Sequence, residues 1–297
     1  MNQHAIAIDI GGTNTRVALV DDSYHIIDRH QFATDARNPM ITLTQIARIV
    51  NSYNVPIAGA GMSCPGPIDI PNGRILTPPN LIDKWHHFEV AKELSNLIHL
   101  PVHLNNDANL AALAEATLGE GKDYRYVQFL TISTGLGAGF VIDKKIYLGS
   151  HGYANEVANC IMQKNGPQHG ALLPGGLEAI SSGTAITTRA NAAGLNVSHA
   201  GEVNALAQNG NAQAQAIMDD AKEYLANFIS FIYAFADPDI VILGGSVALK
   251  IEGFTEEIES LVKTKVYEVM KPYIKVRRST LNEDSGLLGA AYLALHS

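Results

Sequence analysis

Two glycine-rich hairpins of one design stand 122 residues apart, and any fold for this chain has to house both. In the first, the apolar run 5–10, with Asp9 near its end, passes through Gly11-Gly12-Thr13-Asn14-Thr15-Arg16 into Val17-Ala18-Leu19-Val20. In the second, Val127 to Ile132 passes through Ser133-Thr134-Gly135-Leu136-Gly137-Ala138-Gly139 into Phe140-Val141-Ile142-Asp143. At this offset Asp9 falls on Thr131 and Asp21 on Asp143. Apolar runs on either side of a glycine turn read as strand, turn, strand. Similarity at a fixed offset reads as an internal duplication.

Between and beyond the hairpins, helical and strand patterns alternate. Ile41, Leu43, Ile46, Ile49, Val50 and Tyr53 recur at three- and four-residue steps, predicting an amphipathic helix ended by Pro56. Ile57 to Met62 and Val102 to Leu104 read as strands, and 108–118 as a helix capped by Asp107. In the second half, Ile217, Ala221, Tyr224, Leu225, Phe228, Ile232 and Phe235 form a long core-facing stripe stopped at Asp237-Pro238. A buried strand 240–243 closed by Gly244-Gly245, a helix at about 254–270, a strand 274–276 and a closing helix 286–295 complete the pattern. This alternation is the α/β signature. The polar stretches 144–176 and 196–212 have no clear period and are expected to be loops.

Composition narrows the partners. With 46% apolar and 17% charged residues the chain can build substantial cores. A net charge of −8 gives no electrostatic reason to bind nucleic acid or an anionic membrane, so small molecules are the expected ligands. Cys64 and Cys160 provide neither a disulfide framework nor a four-ligand metal site. No signal peptide or membrane span precedes the first strand, which predicts a cytoplasmic protein.

Glycine turns bind phosphate because a missing Cβ lets backbone N–H groups converge on an anion, and hydroxyls beside them add donors. Residues 9–15 and 131–139 both have that chemistry. Neither carries the Gly-Lys-Ser or Gly-Lys-Thr of a Walker A loop, and the first runs into a strand where a dinucleotide-binding turn would enter a helix. Asp9 beside an anion-binding turn calls for a cation, and Mg²⁺ reached through water is the expectation, against the simpler reading that Asp9 caps the turn. Asn105-Asn106-Asp107-Ala108-Asn109 lies at a strand-to-helix junction. Asp107 there either caps the helix or accepts the proton of an attacking hydroxyl in a phosphoryl transfer. Glu156 and Asn159 share a face if 155 onward is helical, and with Glu178 and Asn80 they have the hydrogen-bonding character that sugar hydroxyls require. Taken singly, each reads first as a plain polar group on the surface. The same holds for His86, His87, His151 and His169.

These residues together resemble the ROK group of sugar kinases and repressors, within the actin-like ATPase superfamily. The likeness rests on residues 9–16, 64–69, Asn80-Leu81 with Trp85, 106–109, 134–139, Ser182-Gly183-Thr184 and 239–245. It implies a two-lobed α/β (ribonuclease H-like) fold, each lobe a mixed sheet flanked by helices, with sugar and ATP meeting in the interlobe cleft. The lobes are expected over 1–117 and 118–285, with the last helix, about 286–297, returning to the first. It implies Asp107 as catalytic base, and Gly66, Asn80, Asn106, Asp107, Glu156, Asn159 and Glu178 at the sugar. Asp9, Gly11, Gly12, Thr13, Asn14, Thr15, Thr134, Gly135, Gly183, Gly244 and Gly245 are implied at ATP and its Mg²⁺. A homodimer is the expected assembly.

One departure matters. Where the family has Glu-x-Gly-His and a cysteine-rich zinc loop, this chain has Glu156-Val157-Ala158-Asn159 and a cysteine-free 166–176. No structural zinc is expected, and the resemblance is to the branch that acts on β-glucosides. Phosphorylation of O6 on the glucose unit of a β-glucoside such as cellobiose is the expectation, with glucokinase or N-acetylmannosamine kinase as alternatives. A sugar-sensing regulator is the alternative of another class. It would need a helix-turn-helix module before the core, yet the first strand starts near residue 5.

Overall fold

The computed structural model describes residues 3–78, 80–281 and 284–297. β1 (His4–Ile10) and β2 (Asn14–Val20) form the first glycine hairpin, and β3 (Ile26–Ala33) pairs antiparallel outside β2. After α1 (Pro39–Val50), β4 (Ile57–Cys64) pairs parallel with β1, and β5 (Ile68–Asp69) with β6 (Arg74–Ile75) makes a small separate ladder. α2 (Val90–Ile98) leads to β7 (Val102–Asn106), which pairs parallel with β4 and runs directly into α3 (Asp107–Thr117). β8 (Tyr126–Ile132) and β9 (Leu136–Ile142) form the second glycine hairpin, extended by β10 (Lys145–Ile146). Then come α4 (Leu177–Ser181), α5 (Gly183–Ala192), α6 (Ala200–Gln208) and α7 (Ala212–Ala236). β11 (Ile240–Gly244) pairs parallel with β8, and after α8 (Gly245–Lys250) and α9 (Phe254–Thr264), β12 (Val276–Arg278) pairs parallel with β11. α10 (Ser285–Leu295) closes the chain.

The sheet orders are β3-β2-β1-β4-β7 and β10-β9-β8-β11-β12. Each is three antiparallel strands followed by two parallel ones, so the duplication visible in the hairpins extends to a whole sheet. Contacts divide the chain into two compact units. One comprises Met1–Ala114, Gly149–Gly152 and Glu283–Ser297, the other Glu115–Leu148 and Tyr153–Asn282. In the first, Ile6, Ile8 and Met62 of the sheet bury against Leu43 and Ile46 of α1 and Leu94 of α2. In the second, Leu130, Val241 and Leu243 bury with Leu225 and Ile229 of α7 and Phe254 of α9. Removing such side chains from water contributes about 1.5–3 kcal/mol each, which is why the parallel strands read as near-continuous apolar runs.

Several local expectations are corrected. α1 ends at Val50 with Asn51 as its C-cap, before the chain reaches Pro56, so the proline is not its stop, and Ile41 faces solvent. The stretch 196–212 is not all loop. It contains α6, whose Ala200, Val203 and Ala207 pack inward at three- and four-residue steps too small-sided to stand out in the sequence. The helix expected to 270 ends at Thr264, and 268–273 is a 3₁₀ turn holding Pro272. Residues 155–160 are turn and coil with Asn155 at φ 69°, so Glu156 and Asn159 do not share a helix face.

Candidate active site

In the first unit, Gly11 N–H donates to Asn14 O at 2.9 Å, folding the β1–β2 turn so that the N–H groups of Gly12 and Thr13 have no acceptor among the described residues. Such converging donors form a nest for an anion. Gly12 is required here, since a Cβ at this position would stand 2.6 Å from Asn80 Cβ. The expected phosphate turn and the expected sugar ligand Asn80 are therefore neighbours. Thr15, expected at the phosphates, is fully buried in β2 and its hydroxyl is bonded to Thr34 Oγ1 at 2.8 Å.

The cation that Asp9 calls for is within the chain. Arg16 faces Asp9 across the β1–β2 ladder and places Nε at 3.0 Å and Nη2 at 2.7 Å from Asp9 Oδ2. The sequence presents Arg16 only as part of a motif, although its in-register place opposite Asp9 in a tight hairpin follows from the turn length. Both of these bonds fall on Oδ2. The other carboxylate oxygen suits a hydrated Mg²⁺, which keeps most of its waters.

Asp107 is the first residue of α3, and the capping role belongs to Asn106, whose Oδ1 accepts the Asn109 N–H at 2.9 Å. Asp107 Oδ1 accepts the Ala108 N–H at 2.8 Å, while the residue itself remains open to solvent. Protein packed around the carboxyl desolvates it, and the Asp9 charge adds repulsion. Together they outweigh the helix N–H groups and hold Asp107 above the usual aspartate range. Complete burial pushes up the thiol of Cys64, and the charges of the two acids add to it. Gly66 precedes Pro67 through a cis peptide bond just after β4.

In the second unit, Ser133 N–H donates to Gly135 O and Gly183 N–H to Ser133 O, fixing the β8–β9 turn at the head of α5. Again the N–H groups of Thr134 and Gly135 have no acceptor among the described residues. Glu178, at the start of α4, approaches this turn from outside the hairpin and accepts the Leu136 N–H at 2.7 Å. A Cβ on Gly135 would lie 2.8 Å from Glu178 Oε2.

Beside the turn lies a cavity of about 560 Å³ lined by Thr134, Gly183, Thr187, His199, Ser246 and Lys250 among others. Its size is that of a small-molecule site. Gly183 and Thr134 were expected at the nucleotide. Gly244 is buried in β11, and with Gly245 it stands directly before the lining residue Ser246. His199 and Lys250 were missed, because they belong to a stretch read as loop and to a short helix without a motif.

The cysteine-free loop is held by hydrogen bonds. Asn159 Oδ1 accepts the Leu173 N–H at 2.8 Å, Met162 N–H donates to Gly175 O at 2.8 Å, and Leu177 N–H donates to Cys160 O at 2.9 Å. Asn159 thus spends its acceptor on the loop. Glu156 is exposed next to it. Among the described residues no group of three or more His, Cys, Asp or Glu side chains is arranged to hold a metal ion. Nor is any described helix long and apolar enough to cross a membrane.

A doubled mixed sheet flanked by helices, with an anion-ready glycine turn in each copy, defines a phosphotransferase of the actin-like ATPase fold. The sequence matches the ROK family over residues 5–297. An N-acetylmannosamine kinase of Escherichia coli O7:K1 (strain IAI39 / ExPEC) is 33% identical over 297 residues, 98% of this chain and 98% of the relative. The crystal structure of the ROK hexokinase from Thermus thermophilus has a TM-score of 0.87 at 29% identity, covering 98% of this chain and 99% of that one. A ROK family glucokinase from Streptomyces griseus, in complex with glucose and AMPPNP, has a TM-score of 0.81 at 25% identity, covering 99% and 100%. The chain belongs to the ROK family, and it is an ATP-dependent carbohydrate kinase.

Proposed function

We propose that this kinase transfers the γ-phosphoryl group of ATP to the 6-hydroxyl of N-acetylmannosamine, with Asp107 as general base. The substrate assignment is carried by end-to-end similarity to an N-acetylmannosamine kinase. Phosphorylation of the glucose unit of a β-glucoside such as cellobiose is the second reading, favoured by the asparagine at 159 in place of the family histidine. A shorter amide without a zinc brace would loosen the wall at that end of the pocket and admit a group on the anomeric oxygen, and the Asn159–Leu173 bond weighs against such loosening.

Asp107 ionised accepts the proton of the sugar hydroxyl as its oxygen attacks the γ-phosphorus. The new O–P bond forms, the bond to the β–γ bridging oxygen breaks, and ADP leaves with that electron pair. A carboxyl held above the usual range is a stronger base, which suits it to the proton it takes. Asn80, Asn106, Glu156 and Glu178 hold sugar hydroxyls, and Gly66 gives the wall beside them. Gly11, Gly12, Thr13, Asn14, Thr134 and Gly135 meet the phosphates, with Gly183, Gly244 and Gly245 near the adenosine. Asp9 would hold Mg²⁺ through water, and the ion would supply charge neutralisation at the phosphates. The setting is cytosolic. The assembly is a homodimer, supported by exposed Phe231 and Phe235 on α7 and by exposed Tyr267, Val269 and Tyr273 at the 3₁₀ segment after α9. Native mass measurement checks it: a monomer at micromolar concentration overturns the dimer.

The deciding experiment measures kcat/KM by coupled ADP release for N-acetylmannosamine, glucose and cellobiose. The highest value is expected for N-acetylmannosamine. A clear preference for cellobiose overturns that reading in favour of the second, and a preference for glucose overturns both.

A further inference from the structure

Glu178 stands behind the second phosphate turn. Its Oε2 accepts the N–H of Leu136, the first residue of β9 after Ser133-Thr134-Gly135, at 2.7 Å. Its Oε1 accepts from no described residue. Gly135 permits the approach by having no side chain, and the carboxylate carbon would lie 3.4 Å from a Cβ there. On the other side, Glu178 N–H donates to Ala158 O at 3.2 Å, tying the residue to the segment that carries Glu156 and Asn159. One residue therefore joins two structures: its carboxylate holds the turn whose Thr134 and Gly135 amides are available to phosphate, and its backbone N–H holds the segment that carries Glu156.

This position has an electrostatic consequence. A full negative charge one amide away from a phosphate-binding turn opposes a triphosphate there, and in a partly buried setting that repulsion is only weakly screened. A sugar hydroxyl donating to Oε1 draws charge off the carboxylate and fixes its orientation on the Leu136 N–H. We propose that Glu178 is a positioning residue that couples the two substrates: bound sugar relieves the repulsion and sets the turn, so sugar and nucleotide strengthen each other's binding. The proposal rests on the reading of Glu178 as a sugar ligand. By thermodynamic linkage the enhancement is the same in both directions.

The test uses the intact enzyme and calorimetric titration of AMPPNP with and without saturating N-acetylmannosamine, or whichever sugar of the substrate panel has the highest kcat/KM. In the wild type, sugar is expected to tighten AMPPNP by about fivefold or more, the lower range of allosteric couplings. Glu178→Gln keeps an oxygen for the Leu136 N–H and removes the charge. It should bind AMPPNP alone at least as tightly as wild type, with an enhancement by sugar within about twofold of unity. Glu178→Asp retains the charge but withdraws it from Leu136, and should also lose the enhancement, which keeps the proposal testable if the glutamine variant does not fold. Absence of enhancement in the wild type, or its survival in the variants, overturns the coupling. Sugar affinity without nucleotide separates the two assignments. A Glu178→Gln protein that binds sugar like wild type shows that Glu178 is no sugar ligand, and the coupling falls with it. A protein that binds sugar weakly yet keeps the wild-type enhancement overturns the coupling alone.

Discussion

The two glycine hairpins share a backbone plan and differ in how they handle charge. In the first, the acid lies in the strand itself: Asp9 on β1, faced by Arg16 on β2 at 2.7 Å. In the second, Thr131 takes the place of Asp9 and Gly137 faces it, so this pair of positions carries no charge, and the acid arrives from α4 as Glu178. Duplication preserves the amide donors, because these follow from the turn. Charge is set separately in each copy by residues the duplication does not fix. The consequence in the first unit is that Asp9 is compensated while Asp107, at the head of the helix that follows β7, has only the N–H groups of that helix.

The largest expected effect tests that imbalance. Asp107→Asn should fold and bind sugar but lose about 10²–10⁴-fold in turnover, the usual contribution of a general base. The wild-type pH profile adds a sign. Catalysis needs Asp107 ionised, and its pKa is raised above 3.8, so kcat/KM should fall as pH drops through a value above the ordinary aspartate range. A turnover within a few-fold of wild type, or an acid limb at or below the ordinary value, breaks the assignment of Asp107 as the uncompensated acid. Arg16→Met should move that limb further up, because Asp9 would then repel Asp107 without its partner.

A second acid gives the second unit its own form of the problem. Glu115 is fully buried, with Oε1 accepting Ser279 Oγ at 2.5 Å and Oε2 accepting the Glu120 N–H at 3.1 Å. No cation is among these partners. Burial pushes its pKa up, and the hydrogen bonds only partly offset this. Glu115→Ala leaves these donors, and the Leu281 N–H that also reaches Oε1 at 3.4 Å, without acceptors and should cost about 1–3 kcal/mol in chemical denaturation. A folded-state pKa above the unfolded value stabilises most below that unfolded value, 4.5, and the contribution is lost as pH rises through the folded pKa. Wild-type stability should show that decline, and Glu115→Gln should flatten it. An unchanged pH dependence in the glutamine variant refutes the buried-acid account.

What could be read in advance follows the same division. The hairpins, the strand 240–243 and the long helix α7 were legible, because burial forces apolar residues into a regular period. α6 was not, since its inward face is Ala200, Val203 and Ala207, whose small side chains give little contrast with the polar residues between them. Among the proposed site residues, Asp107 and the glycine turns stand out through spacing in the chain. The Arg16 pair with Asp9 depends on register, the Glu178 bond to Leu136 joins residues 42 apart, and His199 meets Lys250 at one cavity only through tertiary packing. Those long-range pairings decide the electrostatics, and a single sequence does not display them. Thr15 shows the converse error: a motif position offered a hydroxyl, but strand alternation buried it against Thr34.

The smallest effect belongs to a segment with no counterpart of similar length in the first unit, the stretch between β10 and α4. Asn159 there was expected to meet sugar, but its Oδ1 holds the Leu173 N–H at 2.8 Å. Asn159→Ala removes that acceptor in an exposed place where water can substitute, so the cost should lie near the net value of one hydrogen bond, about 0.5–1.5 kcal/mol, and fall on the loop alone. Hydrogen exchange at the Leu173 amide should speed up, kcat should stay at the wild-type value, and KM for sugar should rise by no more than a few-fold. A residue that bonded the sugar directly through a charged or well-aligned contact would behave otherwise: a tenfold or greater rise in KM, with Leu173 exchange unchanged, would return Asn159 to the sugar site and leave the loop braced by its backbone bonds to Gly175 and Cys160. That outcome would also remove the argument that weighs against β-glucosides, since the family histidine would then have been replaced by a working, shorter ligand.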